Sequence, residues 1–360
     1  MNNYHHLKYL FVFSVVIIGF LGFVLQGPWT WALPIYAYGL VPFVEMLSKG
    51  SVKNMTKAEE AVAKESKMYD LLIYAIVPIQ WSLYIMFMFA VQTPGLAPYE
   101  IAGMIISTGI GCAAFGINVA HELGHRHKWY EQWMSKALLL TSQYMHFFIE
   151  HNRGHHANVS TEKDPATSRY GEVVFVFWFR SVITGYVSAW KIESKRLKKA
   201  GKPFLHWSNE MIFYVICQAA VLITVTLVFN VWVMLASLAA STIGFILLET
   251  VNYIEHYGLL RHTNEDKFKR VMPIHSWNSN HPMGRLLLFE LSRHSDHHFM
   301  ASRPYQVLRN FDDSPQMPTG YPGMVMLALV PPLWFAVMNP RVKALREKYP
   351  EELRSMPIAA

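Results

Sequence analysis

The stretch Glu100–His125, EIAGMIISTGIGCAAFGINVAHELGH, joins a long apolar segment directly to a pair of histidines. Its first part, Glu100–Ala120, has only one charged side chain and is long enough to cross a lipid bilayer as a helix. His121 and His125 follow at once, four residues apart, so a continuing helix presents both imidazoles on one face. The stretch therefore predicts a membrane-spanning helix that ends in a histidine-bearing site.

Five further apolar segments have a similar length, and very short connections (QGPW, TPGLAP and FNVW) join consecutive segments into hairpins. They are Tyr9–Gln26, Trp29–Leu47, Tyr69–Val91, Met211–Phe229 and Val231–Glu249. Of the 360 residues, 52% are hydrophobic and only 16% are charged, whereas soluble domains carry about 25% charged residues. We predict an all-α integral membrane protein with six transmembrane helices. The apolar but proline-broken segment Pro322–Met338 is expected to pack against the bundle or lie in the interface.

The positive charges are concentrated between the hairpins. The short connections contain no lysine or arginine, whereas the stretches Lys49–Lys67 and Arg126–Lys202 contain many. The positive-inside rule places both stretches and the N-terminus in the cytoplasm. The net charge of +7 is then a topology signal, and we expect no nucleic-acid partner. The predicted regions are 1–120 (transmembrane helices 1–4), 121–210 (cytoplasmic), 211–250 (transmembrane helices 5–6) and 251–360 (cytoplasmic, with the C-terminal segment).

The cysteine pattern excludes several metal sites. The only two cysteines, Cys112 and Cys217, lie inside apolar segments, and no C-x-x-C pair occurs. The chain therefore has no zinc ribbon, no iron–sulfur cluster and no rubredoxin-type site of its own.

Histidines cluster where predicted spans end on the cytoplasmic side or in the cytoplasmic stretches. Of seventeen histidines, nine lie in four such clusters: His121 and His125; His151, His155 and His156; His256; and His294, His297 and His298. We expect the clusters to converge just inside the membrane as a metal site, because imidazole binds iron, zinc and copper.

Helical spacing indicates how the clusters are arranged. His151 and His155 are spaced to share a helix face, as are His294, His297 and His298. His156 is rotated by about 100° from His155, so that one helix can serve two neighbouring metal ions. Acidic residues beside the clusters are candidates to orient the rings: Glu122, Glu150, Glu255, Asp164 and Asp296.

Two other kinds of protein use similar patterns. HELGH at His121 matches the H-E-x-x-H motif of zinc proteases, but a protease needs one further ligand and leaves the other histidines unexplained. A membrane metal transporter needs ligands along the spans, and the predicted spans contain almost no histidines or acids. A zinc protease and a membrane metal transporter therefore remain alternatives to an enzyme with two metals.

The motifs together resemble the alkane monooxygenases, integral-membrane non-haem di-iron hydroxylases related to the fatty-acid desaturases. The resemblance is carried by HELGH from His121, EHNRGHH from Glu150, NYIEHYGLLR from Asn252 and SRHSDHH from Ser292. DPATSRYGE, HSWNSNH, RPYQVLR and PTGYPGM also resemble the family, so the likeness covers nearly the whole chain. Arg126 follows HELGH where the family usually has lysine.

This resemblance implies six transmembrane helices capped by a cytoplasmic di-iron domain that uses dioxygen. It implies that all nine clustered histidines bind two iron ions and form the catalytic site. It also implies terminal hydroxylation of medium-chain n-alkanes, drawn from the bilayer, to 1-alkanols. Electrons would come from a separate rubredoxin, reduced by NADH through a rubredoxin reductase. Fatty-acyl desaturation and hydroxylation of a xylene-type methyl group are the nearest alternatives.

Overall fold

The computed structural model describes residues 5–264 and 267–353; the parts of the predicted regions at 1–4, 265–266 and 354–360 lie outside the described residues. The protein is helical apart from two short paired strands, β1 (Thr263–Asn264) and β2 (Lys267–Phe268). The α-helices are α1 (Phe13–Leu25), α2 (Ala32–Ile35), α3 (Val41–Leu47), α4 (Lys57–Glu65), α5 (Lys67–Ala90), α6 (Pro98–Gly111), α7 (Asn118–Gly124), α8 (Trp129–Leu140), α9 (Phe147–Ile149), α10 (His156–Asn158), α11 (Val174–Lys199), α12 (Glu210–Val228), α13 (Val231–His256), α14 (Pro282–Leu287), α15 (His294–Phe299), α16 (Tyr321–Ala328) and α17 (Pro331–Lys348). Turns of 3₁₀ helix cover His5–Val12, Gly27–Trp31, Pro273–His275 and Tyr305–Val307, and π-helical turns cover Tyr36–Leu40, Cys112–Ile117 and Glu150–His155.

Among the described residues, five helical runs are long and apolar enough to cross a membrane. They are His5–Leu25, Lys67–Ala90, Pro98–Gly124, Glu210–Val228 and Val231–His256. Each overlaps one of the predicted spans, and two of them continue directly into histidines of the clusters. The prediction of an all-α membrane protein is confirmed.

The remaining predicted span, Trp29–Leu47, is helical but is not one of these five runs. It consists of a 3₁₀ turn, α2, a π-helical turn and α3, which follow one another without a gap. Pro34 and Pro42 lie within this run, and proline lacks the backbone N–H that a regular α-helix needs. The segment is therefore helical over its whole length, but its helix is irregular.

Two C-terminal helices form a sharp bend. The helices α16 and α17 meet at an angle of 118°, immediately before the pair Pro331 and Pro332. Trp334, Met338 and Val342 on α17 are buried in a core that they share with Tyr253 of α13. The expected packing of Pro322–Met338 against the bundle is confirmed, and the two helices together are also long and apolar enough for one broken span.

Buried ion pairs attach the N-terminal helix to the segment that leads into α15. The carboxylate of Glu290 accepts hydrogen bonds from Lys8 Nζ at 2.8 Å, the Tyr9 hydroxyl at 2.9 Å and Arg285 Nε at 2.6 Å. Burial raises the pKa of this carboxyl, but Arg285 and Lys8 outweigh that effect and lower the pKa of Glu290 from 4.5 to about 2. The charged network therefore holds the end of the fold that carries the last histidine cluster.

Replacing Glu290 by glutamine is expected to destabilise the protein by about 3–5 kcal/mol, because the Arg285 side chain, which is only 13% exposed, loses its counter-charge. Since the folded pKa lies below the unfolded one, the native pair stabilises the fold above about pH 5, and this stability is lost as the pH falls towards 2. Thermal unfolding in detergent over this pH range measures both effects. Glu60→Gln is the matched control, because its partner Arg309 is partly exposed and the expected loss is about 1 kcal/mol or less. Equal losses in the two variants would contradict the account.

Candidate metal centre

All nine clustered histidines meet at one end of the helical bundle. His121 lies in α7 and His125 follows it, His256 is the last residue of α13, and the other two clusters lie in and beside the π-helical turn Glu150–His155 and in α15. Their ligand nitrogens fall into two groups, within each of which the atoms lie within 4.8 Å of one another. The other eight of the seventeen histidines, all within the described residues, belong to neither group.

The first group contains five imidazoles. They belong to His121, His125, His151, His156 and His297. The Nε2 atom of His151 lies 3.2 Å from that of His125 and 3.0 Å from that of His156, and Nε2 of His297 lies 3.1 Å from Nε2 of His156. Two nitrogens that bind one metal ion at about 2.1 Å are about 3 Å apart when they are neighbours in its coordination shell. The spacing therefore fits five donors to one ion.

The second group contains four imidazoles, all buried. They belong to His155, His256, His294 and His298. The Nε2 atoms of His155 and His298 are 3.2 Å apart, as are those of His294 and His256. The rings of His156 and His298, one from each group, have centroids 4.6 Å apart, so the two candidate metal positions are neighbours.

The predicted pairing of His151 with His155 on one helix face is wrong. His151 belongs with His156, five residues later, and His155 belongs to the other group. The reason is the π-helical turn at Glu150–His155, in which the backbone repeats at i→i+5 and not at i→i+4. As predicted, one helix contributes imidazoles to two neighbouring groups, although His156 and not His155 is the partner of His151.

A similar division occurs in α15. His294 and His298, one α-helical turn apart, belong to the four-imidazole group, whereas His297 points to the five-imidazole group. The expectation that all three share one face was therefore wrong for His297. His121 and His125 are together in one group, as their spacing predicts.

Burial lowers the pKa of several imidazoles in the five-imidazole group. It lowers the pKa of His125 to about 4, and the nearby ring of His155 lowers it further in the same direction. For His151, His156 and His297 burial also lowers the pKa well below the usual value, with a smaller contribution from neighbouring imidazoles. A neutral imidazole has a free lone pair, which is the form that binds a metal ion.

Two of the five predicted acidic neighbours contact the metal-site histidines directly. Asp164 Oδ2 accepts a hydrogen bond from His155 Nδ1 at 2.9 Å, which leaves Nε2 of this ring free to bind a metal. Glu255 Oε2 lies 3.2 Å from His294 Nε2. Glu122 and Asp296 pair with arginines, and Glu150 has one buried carboxylate oxygen without a hydrogen-bond partner.

Replacing Asp164 by asparagine is expected to weaken metal binding at the four-imidazole group about 10–100-fold, because the ring of His155 loses its charged acceptor. Titration of the metal-depleted protein with Fe(II) measures this change. Asp312→Asn is the matched control, since the Asp312 side chain is exposed and an unchanged affinity is expected. Wild-type affinity in Asp164→Asn would show that Asp164 does not support His155.

An apolar cavity leads from the spans to both histidine groups. Val15, Ala37 and Ile110 are among the residues that line it. His121 and His151 of the first group and His294 of the second form part of its wall. A hydrocarbon chain in this cavity would therefore contact apolar side chains along its length and the candidate metal positions at one side.

A few polar groups also line the cavity. They are Asn118, Asn252 and Glu255, and the Tyr321 hydroxyl donates a hydrogen bond of 2.6 Å to Glu255 Oε1. Sequence analysis did not single out Tyr321 or the two asparagines as site residues. Asn252 lies in the motif NYIEHYGLLR and Tyr321 in the motif PTGYPGM. The position of a residue in a motif does not by itself show whether its side chain faces a cavity.

Comparison with known proteins gives the family. The fatty acid desaturase family model matches residues 95–328, which include all nine histidines. Alkane 1-monooxygenase 2 of Pseudomonas aeruginosa is 41% identical over 323 residues, which cover 88% of this chain and 85% of the relative. The chain belongs to the alkane 1-monooxygenase family. Another member, alkane 1-monooxygenase 1 of Alcanivorax borkumensis, is 37% identical over 315 residues, which cover 87% of this chain and 78% of the relative.

A xylene/toluene monooxygenase hydroxylase component from Pseudomonas putida is also similar, at 27% identity over 349 residues, 95% of this chain and 90% of the relative. The sequence identity to the relatives named alkane 1-monooxygenase is higher, at 35–41%. Membership of the alkane 1-monooxygenase family favours a membrane-bound enzyme over the metal transporter and the zinc protease.

Proposed function

We propose that this protein hydroxylates the terminal carbon of medium-chain n-alkanes to give 1-alkanols, with dioxygen and electrons from a separate rubredoxin. The balanced reaction is RH + O₂ + 2e⁻ + 2H⁺ → ROH + H₂O. The observation that carries the proposal is the apolar cavity whose wall includes His121, His151 and His294. The cavity brings a hydrocarbon to both candidate metal positions, as this reaction requires.

The two histidine groups would each hold one iron ion. Five neutral imidazoles in one group exceed the four ligands of a structural zinc site, and this favours a metal of higher coordination number. Bound iron would supply the activation of dioxygen that an unactivated C–H bond demands. The nine histidines are thus proposed as metal ligands and as the catalytic site.

The protein part of the mechanism is binding, orientation and exclusion of water. An alkane has no polar group to recognise, so its position depends on the shape of the apolar wall and on the free energy of leaving water. A narrow cavity that admits the chain end first would place the terminal carbon next to the histidine groups. Asp164 holds the ring of His155, and Tyr321 holds the carboxylate of Glu255 beside His294.

The electrons are proposed to come from a separate rubredoxin, which is reduced by NADH through a rubredoxin reductase. The chain has only two cysteines, and a rubredoxin site needs four thiolates. We propose that the histidine-bearing end faces the cytoplasm of a bacterial cell, with the regions 121–210 and 251–360 on that side, where this donor is available. The lysine-rich and arginine-rich stretches on that side agree with the positive-inside rule.

The test is product analysis with the purified protein in lipid nanodiscs, rubredoxin, its reductase, NADH and ¹⁸O₂. With octane we expect 1-octanol that carries one ¹⁸O atom and oxygen uptake that depends on octane. Oxidation of p-xylene or desaturation of an acyl lipid at a higher rate than octane hydroxylation would contradict the proposal. Full activity with a ferredoxin and none with rubredoxin would contradict the proposed donor.

A further inference from the structure

The helix α11 has an exposed apolar surface that the metal centre does not use. Its other side packs against the bundle, where Ser181 Oγ donates a hydrogen bond of 2.5 Å to Glu249 and Trp178 Nε1 donates one of 2.9 Å to Thr250 Oγ1. Glu249 and Thr250 lie on α13, about 10 Å along the helix axis from its last residue, His256. The first half of α11 is therefore level with the last turns of a helix long enough to span a membrane.

One ridge of α11 changes from apolar to basic halfway along the helix. Every fourth residue along this ridge is exposed, in the order Phe175, Phe179, Ile183, Val187, Lys191, Lys195 and Lys199. Phe179 is 73% exposed and Ile183 is 60% exposed. So many large apolar side chains in one contiguous surface are unusual for a surface in contact with water.

The loop after α11 extends the same kind of surface to the start of the next span. Leu205 and Trp207 are 83% and 88% exposed, and Phe204 stacks on Trp190 of α11 with ring centroids 5.6 Å apart. Only two residues separate Trp207 from α12, a candidate span. The exposed side chains of the loop thus lie level with the end of a span, where tryptophan is enriched in membrane proteins.

We propose that α11 is embedded in the membrane interface, with Phe175–Val187 in contact with acyl chains and with its lysines bound to the phosphates of anionic lipids. The charge pattern supports lipid as the occupant, because Lys191, Lys195, Lys198 and Lys199 form one basic end directly after the apolar surface. Continuity with the spans supports it too, since α11 packs on α13 and its loop leads into α12. Bound anionic lipid would hold the side of α11 that carries Ser181 and Trp178 against the histidine-bearing end of α13.

The position of α11 can be measured with nitroxide spin labels on single cysteines in nanodiscs, in a Cys217→Ala background, since Cys112 is buried. Labels at Phe179 and Ile183 are expected to be accessible to oxygen and protected from a water-soluble nickel chelate. A label at Leu227, exposed on α12, gives the lipid reference, and a label at Asp312, which is exposed and lies in no helix, gives the water reference. Accessibility to nickel would overturn the proposal, and protection from both reagents would overturn it in favour of a protein partner or a second copy.

The lysines are tested separately by the preference of the protein for spin-labelled phosphatidylglycerol over phosphatidylcholine. We expect K195Q/K198Q to lower this preference at least about fivefold, since one lysine near an anionic surface contributes about 1 kcal/mol. The matched control K53Q/K57Q removes the same charge from two exposed lysines further from the spans and should leave the preference unchanged. An unchanged preference in K195Q/K198Q, or an equal loss in the control, would overturn the assignment of anionic lipid to these lysines.

Discussion

Replacing His256 by alanine is expected to remove one of two metal ions and to lower the rate of alkane hydroxylation more than about 100-fold. His256 is the only ligand candidate on α13, and its group has just four imidazoles, all buried. The loss of a metal-binding nitrogen is expected to lower metal affinity more than the loss of a supporting hydrogen bond, which alone lowers it about 10–100-fold. Metal analysis of the purified variant, together with the rate of 1-octanol formation, measures the effect.

His127→Ala is the matched control for His256→Ala. His127 is exposed and lies two residues after His125, but it belongs to neither histidine group. We expect this control to keep both ions and the wild-type rate. If His256→Ala also kept two ions and full activity, the four-imidazole group would not be a metal site.

Replacing Ala37 by tryptophan is expected to shift the substrate preference to shorter alkanes. Ala37 lies in the π-helical turn Tyr36–Leu40 and lines the apolar cavity. An indole group at this position fills space that the hydrocarbon chain would otherwise occupy. Each methylene that loses its apolar contact costs about 0.8 kcal/mol, so the displacement of two lowers kcat/KM for the longer chain about 15-fold relative to the shorter one.

A competition between alkanes of different length measures this preference in a single reaction. Ile35→Trp is the matched control, because Ile35 lies in the same helical run but is 64% exposed and does not line the cavity. The control is expected to keep the wild-type preference. An unchanged preference in Ala37→Trp would remove Ala37 from the substrate path.

The sequence predicts the fold class because a long apolar segment in a bilayer has few ways other than a helix to pair its backbone N–H and C=O groups. It misses details that depend on local breaks and on tertiary contacts. Pro34 and Pro42 lie in the predicted second span, whose helix is irregular where the apolar pattern predicts a regular one. The sequence did not indicate that α11 contacts the membrane, because Lys191 and the lysines after it lower the hydropathy of a segment whose first half is apolar.

The convergence of the nine histidines follows from topology and from the resemblance to a known family, but their division into two groups does not. An α-helical spacing rule joins His151 to His155, whereas the π-helical turn joins His151 to His156. Such a turn is stabilised by the packing around it and has no clear signature in one sequence. The cavity wall, with Tyr321 beside Glu255, is likewise a product of tertiary packing.

Metal analysis combined with X-ray absorption spectroscopy of the purified, active protein tests whether the two histidine groups hold two iron ions. We predict two iron ions per chain, each bound mainly by imidazole nitrogens, in a preparation that converts octane to 1-octanol. An equally active preparation that contains zinc alone, a single iron ion, or iron bound by sulfur would contradict the account.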